Sequence, residues 1–171
     1  MIQQPEAQKP AGNETLFRLR MQPIAFLASL QFLTIAPPLI RRMFTAREMG
    51  AAVGYFPAAG LVIGLALVGL HWVLGFIFPG SIVAGLVLAA WIGISGALHL
   101  DGFLDSCDGL MGGYTPESRL RIMRDERVGA FALVGGVLLL LLKYAALAAL
   151  VNKVTALLVA PMLGRWGMSL A

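Results

Sequence analysis

The sequence predicts an all-α fold, a polytopic transmembrane helical bundle, on three observations. Of its 171 residues, 58% are hydrophobic and only 13% charged, with a mean hydropathy of +0.81. Soluble domains average about 45–50% apolar and about 25% charged. The apolar residues gather into runs long enough to cross a hydrocarbon core of about 30 Å, and Lys and Arg collect in the segments between alternate runs. This composition excludes a disordered chain, a collagen-like fibre and a disulfide scaffold, since the single Cys107 has no internal partner. The formal net charge of +4, from 13 Lys and Arg against 9 Asp and Glu, reads as a topology signal between apolar runs, so no nucleic-acid partner is expected.

Residues 1–22 form a polar N-terminal tail without the apolar stretch of a secretory signal. Residues 23–171 form a single membrane domain. Its first segment, 23–40, is apolar but short and ends at Pro37-Pro38, which suits an interfacial or re-entrant helix better than a span, and it stays unassigned. Residues 50–78 carry no charge and make the first span. Pro79-Gly80 is a turn, 81–100 the second span, and 129–151 the third, interrupted only by Lys143. Residues 154–171 begin an incomplete fourth that contains Arg165. Gly60 and Gly64 form a GxxxG pair, with Gly93 and Ala97 a looser version, both expected to let helix backbones approach closely. His71 reads as a packed or interfacial histidine.

Positive charge orients this bundle. Residues 1–49 hold Lys9, Arg18, Arg20, Arg41, Arg42 and Arg47, and the 101–128 loop holds Arg119, Arg121, Arg124 and Arg127, whereas the two opposite turns hold only Lys153. The positive-inside rule therefore places the N-terminus and the 101–128 loop in the cytoplasm. The expected location is the bacterial cytoplasmic (inner) membrane, with the active site facing the cytoplasm.

Six of the nine acidic residues lie between Asp101 and Glu126. Asp101, Asp105 and Asp108 stand at i, i+4 and i+7, so a helix from His99 to Leu110 presents them within an arc of about 60°. Like charges so placed repel, and a cation relieves the repulsion. Hard oxygen ligands favour magnesium, manganese or calcium over zinc, and magnesium takes one or two carboxylates and leaves substrate phosphates to complete its shell. The stripe therefore reads as half of a metal–diphosphate site. The competing reading is a solvated acidic helix end.

After it, Tyr114-Thr115-Pro116-Glu117 reads as a turn and helix start, and Ser118 to Val128 as a basic amphipathic segment. In that segment Arg124, Asp125 and Arg127 fit either membrane anchoring or a phosphate-binding fork. Lys143 and Arg165 lie where charge costs about 2.5–3.5 kcal/mol on insertion scales, which marks them as functional candidates facing the bundle interior. His99 is a candidate partner of the carboxylates. Cys107 reads as a small filler.

The run His99-Leu100-Asp101-Gly102-Phe103-Leu104-Asp105-Ser106-Cys107-Asp108-Gly109 resembles the HLDGxxDxxDG signature of the cobalamin synthase family, the adenosylcobinamide-GDP ribazoletransferases. Phe32-Leu33-Thr34 followed by Pro37, the segment Gly50 to Gly64, and Arg124 to Phe131 resemble that family's other landmarks, with Lys143 and Pro161 to Arg165 following in order. The likeness covers residues 24–171 and implies a chain truncated before the family's last membrane helices. It implies a membrane transferase that joins adenosylcobinamide-GDP to α-ribazole or its 5′-phosphate and releases GMP, with Mg2+. Under it Asp101, Asp105 and Asp108 are the metal ligands. Together with Asp125 and Lys143 they form the catalytic set, and Arg124, Arg127, Arg165 and His99 bind substrate. The oligomeric state is not implied.

Two other readings compete. A CDP-alcohol phosphotransferase also holds metal and a nucleotide diphosphate with helix aspartates, but its Ala-Arg pair is replaced here by Asp105-Ser106. A cation transporter would use the stripe as an ion site and Lys143 as a gating charge, yet its binding groups belong near the bilayer midplane rather than beside a basic segment.

Overall fold

The computed structural model describes residues 11–170, with side chains described from residue 22. Residues 1–10, the first part of the expected polar tail, lie outside the described residues. The rest of that tail is already helix. Among the described residues eight helices follow one another: α1 (Ala11–Leu33), α2 (Ala46–Val53), α3 (Phe56–Gly75), α4 (Gly80–Ile94), α5 (Leu98–Gly112), α6 (Pro116–Ile122), α7 (Ala130–Ala149) and α8 (Lys153–Met168). No strand occurs among the described residues.

Helices α3 and α7, 20 residues each, are long and apolar enough to cross a membrane, at about 1.5 Å per residue. Their outward faces are apolar: Leu133, Val134, Leu138, Leu141 and Leu142 of α7 are each more than half exposed. Such a surface is unfavourable in water and favourable in lipid. The fold is thus an all-α membrane protein.

The apolar run at 81–100 is not one straight helix. Helix α4 stops at Ile94, and α5 leaves at 89° to it. The cause is local. Ser95 Oγ donates to the carbonyl of Trp91 or of Ile92, each at 3.1 Å, and Gly96 and Ala97 both take left-handed backbone, at φ of 59° and 57°. Glycine accepts that conformation freely, whereas alanine is strained there. The Ile94 carbonyl at the break accepts from the backbone N–H of Ile35 at 2.9 Å, which pins the segment after α1 to the bend. Gly93 has open space around it, so the expected Gly93–Ala97 packing motif is a hinge instead: Ala97 serves the turn, and no helix packs on Gly93.

The Gly60–Gly64 expectation holds. A Cβ added at Gly60 would lie 2.6 Å from the Pro161 carbonyl oxygen, and one at Gly64 would lie 2.7 Å from that of Leu157. Helix α8 therefore rides directly on the backbone of α3. Around this contact Ile63, Leu67, Val83, Val87, Leu147 and Leu157 make the main buried cluster, drawn from α3, α4, α7 and α8. A second cluster of Leu33, Phe56 and Ala59 fixes α1 against α3.

The start of α2 is fixed by charge. Thr45 and Glu48 form a capping box, and Arg42 clamps the Glu48 carboxylate with two bonds of 2.9 and 2.6 Å. The clamp, then the Thr45 backbone N–H, lowers the Glu48 pKa from its ordinary 4.5 to about 2.

Two outcomes follow. Gly60→Ala or Gly64→Ala forces α3 and α8 apart and lowers unfolding stability in detergent by about 1–3 kcal/mol, whereas Gly69→Ala, with nothing within 4 Å, leaves it unchanged or slightly raised. Equal losses at all three would mean that helix propensity, not the close approach, sets the effect. Because the folded Glu48 pKa is depressed, its stabilisation is complete above the ordinary carboxylate pKa and is lost as pH falls toward about 2. In Arg42→Met the Glu48 midpoint, followed by carbon NMR of the labelled carboxyl, rises toward 4.5; an unmoved midpoint would refute the clamp.

Candidate functional site

Helix α5 carries the carboxylate stripe, and the 89° bend presents it beside the loop that follows α6. Thr115 caps α6 through a reciprocal box with Ser118, and Pro116 takes the first turn, as the Tyr114–Glu117 pattern predicts. The chain then crosses Met123 to Val128 and enters α7. Asp101, Asp105 and Asp108 from α5, with Arg124, Asp125 and Arg127 from the loop, line one cavity of about 330 Å³. Six candidate residues are thereby brought to one place.

They are not equivalent. Asp108 is buried, at 9% exposure. Its Oδ2 accepts from the Gly129 backbone N–H at 2.6 Å, and its Oδ1 accepts from that of Ala132 at 2.8 Å. It therefore caps α7 from a different helix, where the exposed amides and the helix dipole favour an anion. A Cβ on Gly129 would overlap this carboxylate at 2.6 Å, so the small residue there is what lets it seat. Among the described residues, neither Asp101 nor Asp105 has a protein partner. Their oxygens face the cavity unclaimed. Asp125 Oδ1 accepts from the Arg127 backbone N–H at 3.1 Å, folding the loop so that both exposed arginines border the same space.

No group of three or more His, Cys, Asp or Glu close enough to hold a metal occurs among the described residues. Two free carboxylates one helical turn apart remain, and hard oxygens in that number suit Mg2+ completed by substrate phosphates.

Lys143, Arg165 and His99 are elsewhere. They line a second cavity of about 320 Å³ between α4, α5, α7 and α8. Arg165 is 4% exposed. The Lys143 ammonium sits 5.3 Å from the centre of the Trp91 ring, a cation–π contact that sequence reading missed. His99 Nε2 lies 2.9 Å from Met168 Sδ.

Also unread in the sequence were Gly135 and Gly136, where an added Cβ would strike Cys107 Sγ at 2.6 Å and Leu104 Cδ2 at 2.7 Å. Cys107 is thus the filler expected of it, seated on α7. The adjacent glycines in an otherwise bulky run were the available signal.

Fold and site define a class: an all-α membrane protein with a carboxylate and arginine cavity beside a bent helix. The chain belongs to the cobalamin-5-phosphate synthase family, whose model matches residues 25–171. It is 43% identical over 151 residues to the adenosylcobinamide-GDP ribazoletransferase of Pseudomonas putida (strain GB-1), covering 85% of this chain and 61% of that protein. It is 42% identical over 151 residues to the enzyme of the same name from Pseudomonas entomophila (strain L48), covering 85% and 60%. For that of Stutzerimonas stutzeri (strain A1501) the identity is 40% over 148 residues, covering 83% and 59%. The chain thus spans about 60% of the length of these curated relatives. No solved structure matches it.

The difference between the carboxylates is measurable. Asp108→Asn turns an amide N–H toward a backbone donor and lowers unfolding stability by about 1–3 kcal/mol. Asp105→Asn changes it by less than about 0.5 kcal/mol. Chemical denaturation in detergent separates them, and equal stabilities would refute the cap.

Proposed function

We propose that the protein carries out the transfer named for its relatives: adenosylcobinamide-GDP and α-ribazole, or its 5′-phosphate, give the cobalamin or its 5′-phosphate and GMP. The observation that carries this is the cavity in which Asp101 and Asp105, free of protein partners, face Arg124 and Arg127. That donor set is complementary to a metal-bound diphosphate. In the reaction a ribose hydroxyl oxygen bonds to the phosphorus attached to cobinamide. The bond from that phosphorus to the oxygen bridging to the guanylate breaks, and GMP leaves with it. The hydroxyl proton passes to a carboxylate.

Asp101 and Asp105 would hold Mg2+, which supplies charge neutralisation of phosphate oxygens when bound. Arg124 and Arg127 grip phosphate oxygens with planar forks. Asp125, which sets the turn before Arg127, holds that arginine in position and lies near enough to the cavity to orient the hydroxyl. Asp108 joins the stripe to α7 and positions the other two. The cavity is lined by Arg124 and Arg127 of the basic segment, which the positive-inside rule assigns to the cytoplasmic side of the bacterial inner membrane. A carboxylate ion site for transport would not call for arginines across the cavity, which favours the transferase.

GMP release from adenosylcobinamide-GDP with α-ribazole, assayed with the intact protein in inside-out and right-side-out vesicles, tests this. The expected outcome is Mg2+-dependent turnover in inside-out vesicles only, reduced at least 100-fold by Asp105→Asn, consistent with loss of a metal ligand worth several kcal/mol. Turnover by Asp105→Asn at saturating Mg2+ would overturn the metal assignment. Activity confined to right-side-out vesicles would overturn the orientation.

A further inference from the structure

The second cavity holds positive charge that no carboxylate among the described residues answers. Arg165 is buried at 4% exposure, and its Nε and Nη2 have no hydrogen-bond partner; nor has His99 Nδ1. Lys143 borders the same space. No carboxylate of the described residues lines it. Buried donors are normally satisfied, and those left unmade in a native protein need an explanation. A guanidinium and an ammonium facing one apolar-walled space have one electrostatic complement, an anion.

The geometry points to a phosphate group as that anion, bound without metal by Arg165, Lys143 and His99. Nε–H and Nη2–H lie on one edge of the guanidinium as parallel donors, closed to solvent here, so two oxygens of a single phosphate reach them once the side chain turns that edge to the cavity. The Lys143 ammonium answers a third oxygen as a point charge, and His99, whose Nε2–H is turned to the Met168 sulfur, keeps Nδ1 as an acceptor for the hydroxyl of a protonated phosphate. Helix α8 brings Arg165 here because it rests on the glycines of α3, and α7 brings Lys143. The cavity, about 320 Å³, exceeds what a bare phosphate fills, so the group bound is a phosphate carried on a larger molecule. Two sources share this chemistry: a soluble phosphate monoester and the headgroup of an anionic lipid.

The site is separate from the acidic cavity. Along α7 their linings are about 10 Å apart, Leu139 on one side and Ala132 on the other, while on α5 they adjoin, Leu100 lining one and Asp101 the other. It stands whether or not the carboxylates bind metal.

Trp91 is a built-in reporter, since its ring contacts Lys143. In the intact protein with Trp72→Phe and Trp166→Phe, purified in maltoside detergent with EDTA present, inorganic phosphate and ribose 5-phosphate are titrated against Trp91 fluorescence. In a second arm the same protein is placed in phosphatidylcholine nanodiscs with and without phosphatidylglycerol. A saturable response to the soluble phosphates, weakened at least tenfold in Arg165→Gln, supports the site with a soluble ligand. A response only to phosphatidylglycerol, lost in Arg165→Gln, supports it with a lipid headgroup. Should Arg165→Gln fail to fold, Lys143→Met takes its place with the same tenfold expectation. No saturable response in either arm overturns the proposal, and so does a response that the substituted protein keeps unchanged. Because EDTA is present throughout, failure here is distinct from failure of Mg2+-dependent turnover.

Discussion

The rest of the site depends on one carboxylate. Asp108 is fixed by its place on α5, yet its hydrogen bonds go to the first amides of α7, 21 and 24 residues further along. A helix cap of this kind normally comes from the residue next to the helix. Here it comes from another element, so the start of one helix and the face of another become a single rigid corner. The loop between them must close over that corner, and this closure sets Arg124, Asp125 and Arg127 opposite Asp101 and Asp105. Without the tie, the loop is shaped by local contacts alone, the capping box of α6 and the Asp125–Arg127 turn.

The second constraint is the bend at Ser95–Ala97. A straight continuation of α4 would carry the carboxylates onward along the axis of the apolar helix. The left-handed pair at Gly96 and Ala97 instead turns the acidic helix aside, and the Ile35 to Ile94 hydrogen bond holds the turn. The bend separates two environments within a few residues: His99 points into the cavity between α4, α7 and α8, and Asp101 into the one closed by the loop.

Much of this was legible in the sequence, because lipid allows few solutions. Long uncharged runs have to be helices, and the Gly60–Gly64 spacing reads as a close helix contact, whose partner, α8, only the fold identifies. The i, i+4, i+7 spacing put the three carboxylates on one stripe, and all three do line one cavity. Spacing could not reveal that Asp108 faces a helix end, since the amides it accepts from belong to a segment brought near only by folding. The bend was hidden for a similar reason: Ser95-Gly96-Ala97 is apolar enough to pass for helix interior, and only the hydrogen bonds of Ser95 and Ile35 reveal a stop. Residues 81–100 therefore read as one span. Lys143 and Arg165 were visible as misplaced charges, but 22 positions apart in the chain nothing marked them as neighbours.

The two cavities place charge beside an apolar phase in opposite ways. At the loop the protein supplies negative oxygens, to which a phosphate would come only with a cation that reverses the local sign. Between α4, α7 and α8 it supplies the positive charge itself. The difference follows from what each position costs. Near the mouth, with Asp101 exposed, carboxylates remain hydrated and keep their charge at little cost. Deeper in, a buried guanidinium such as Arg165 cannot lose its proton at ordinary pH and adapts poorly to an apolar wall. It keeps its charge, and the structure around it must tolerate that charge until an anion arrives. The Trp91 ring beside Lys143 is one such accommodation, since the face of an aromatic ring offers a cation partial negative charge without adding a carboxylate that would compete with phosphate. A carboxylate in that place would satisfy the resting protein better and bind phosphate worse.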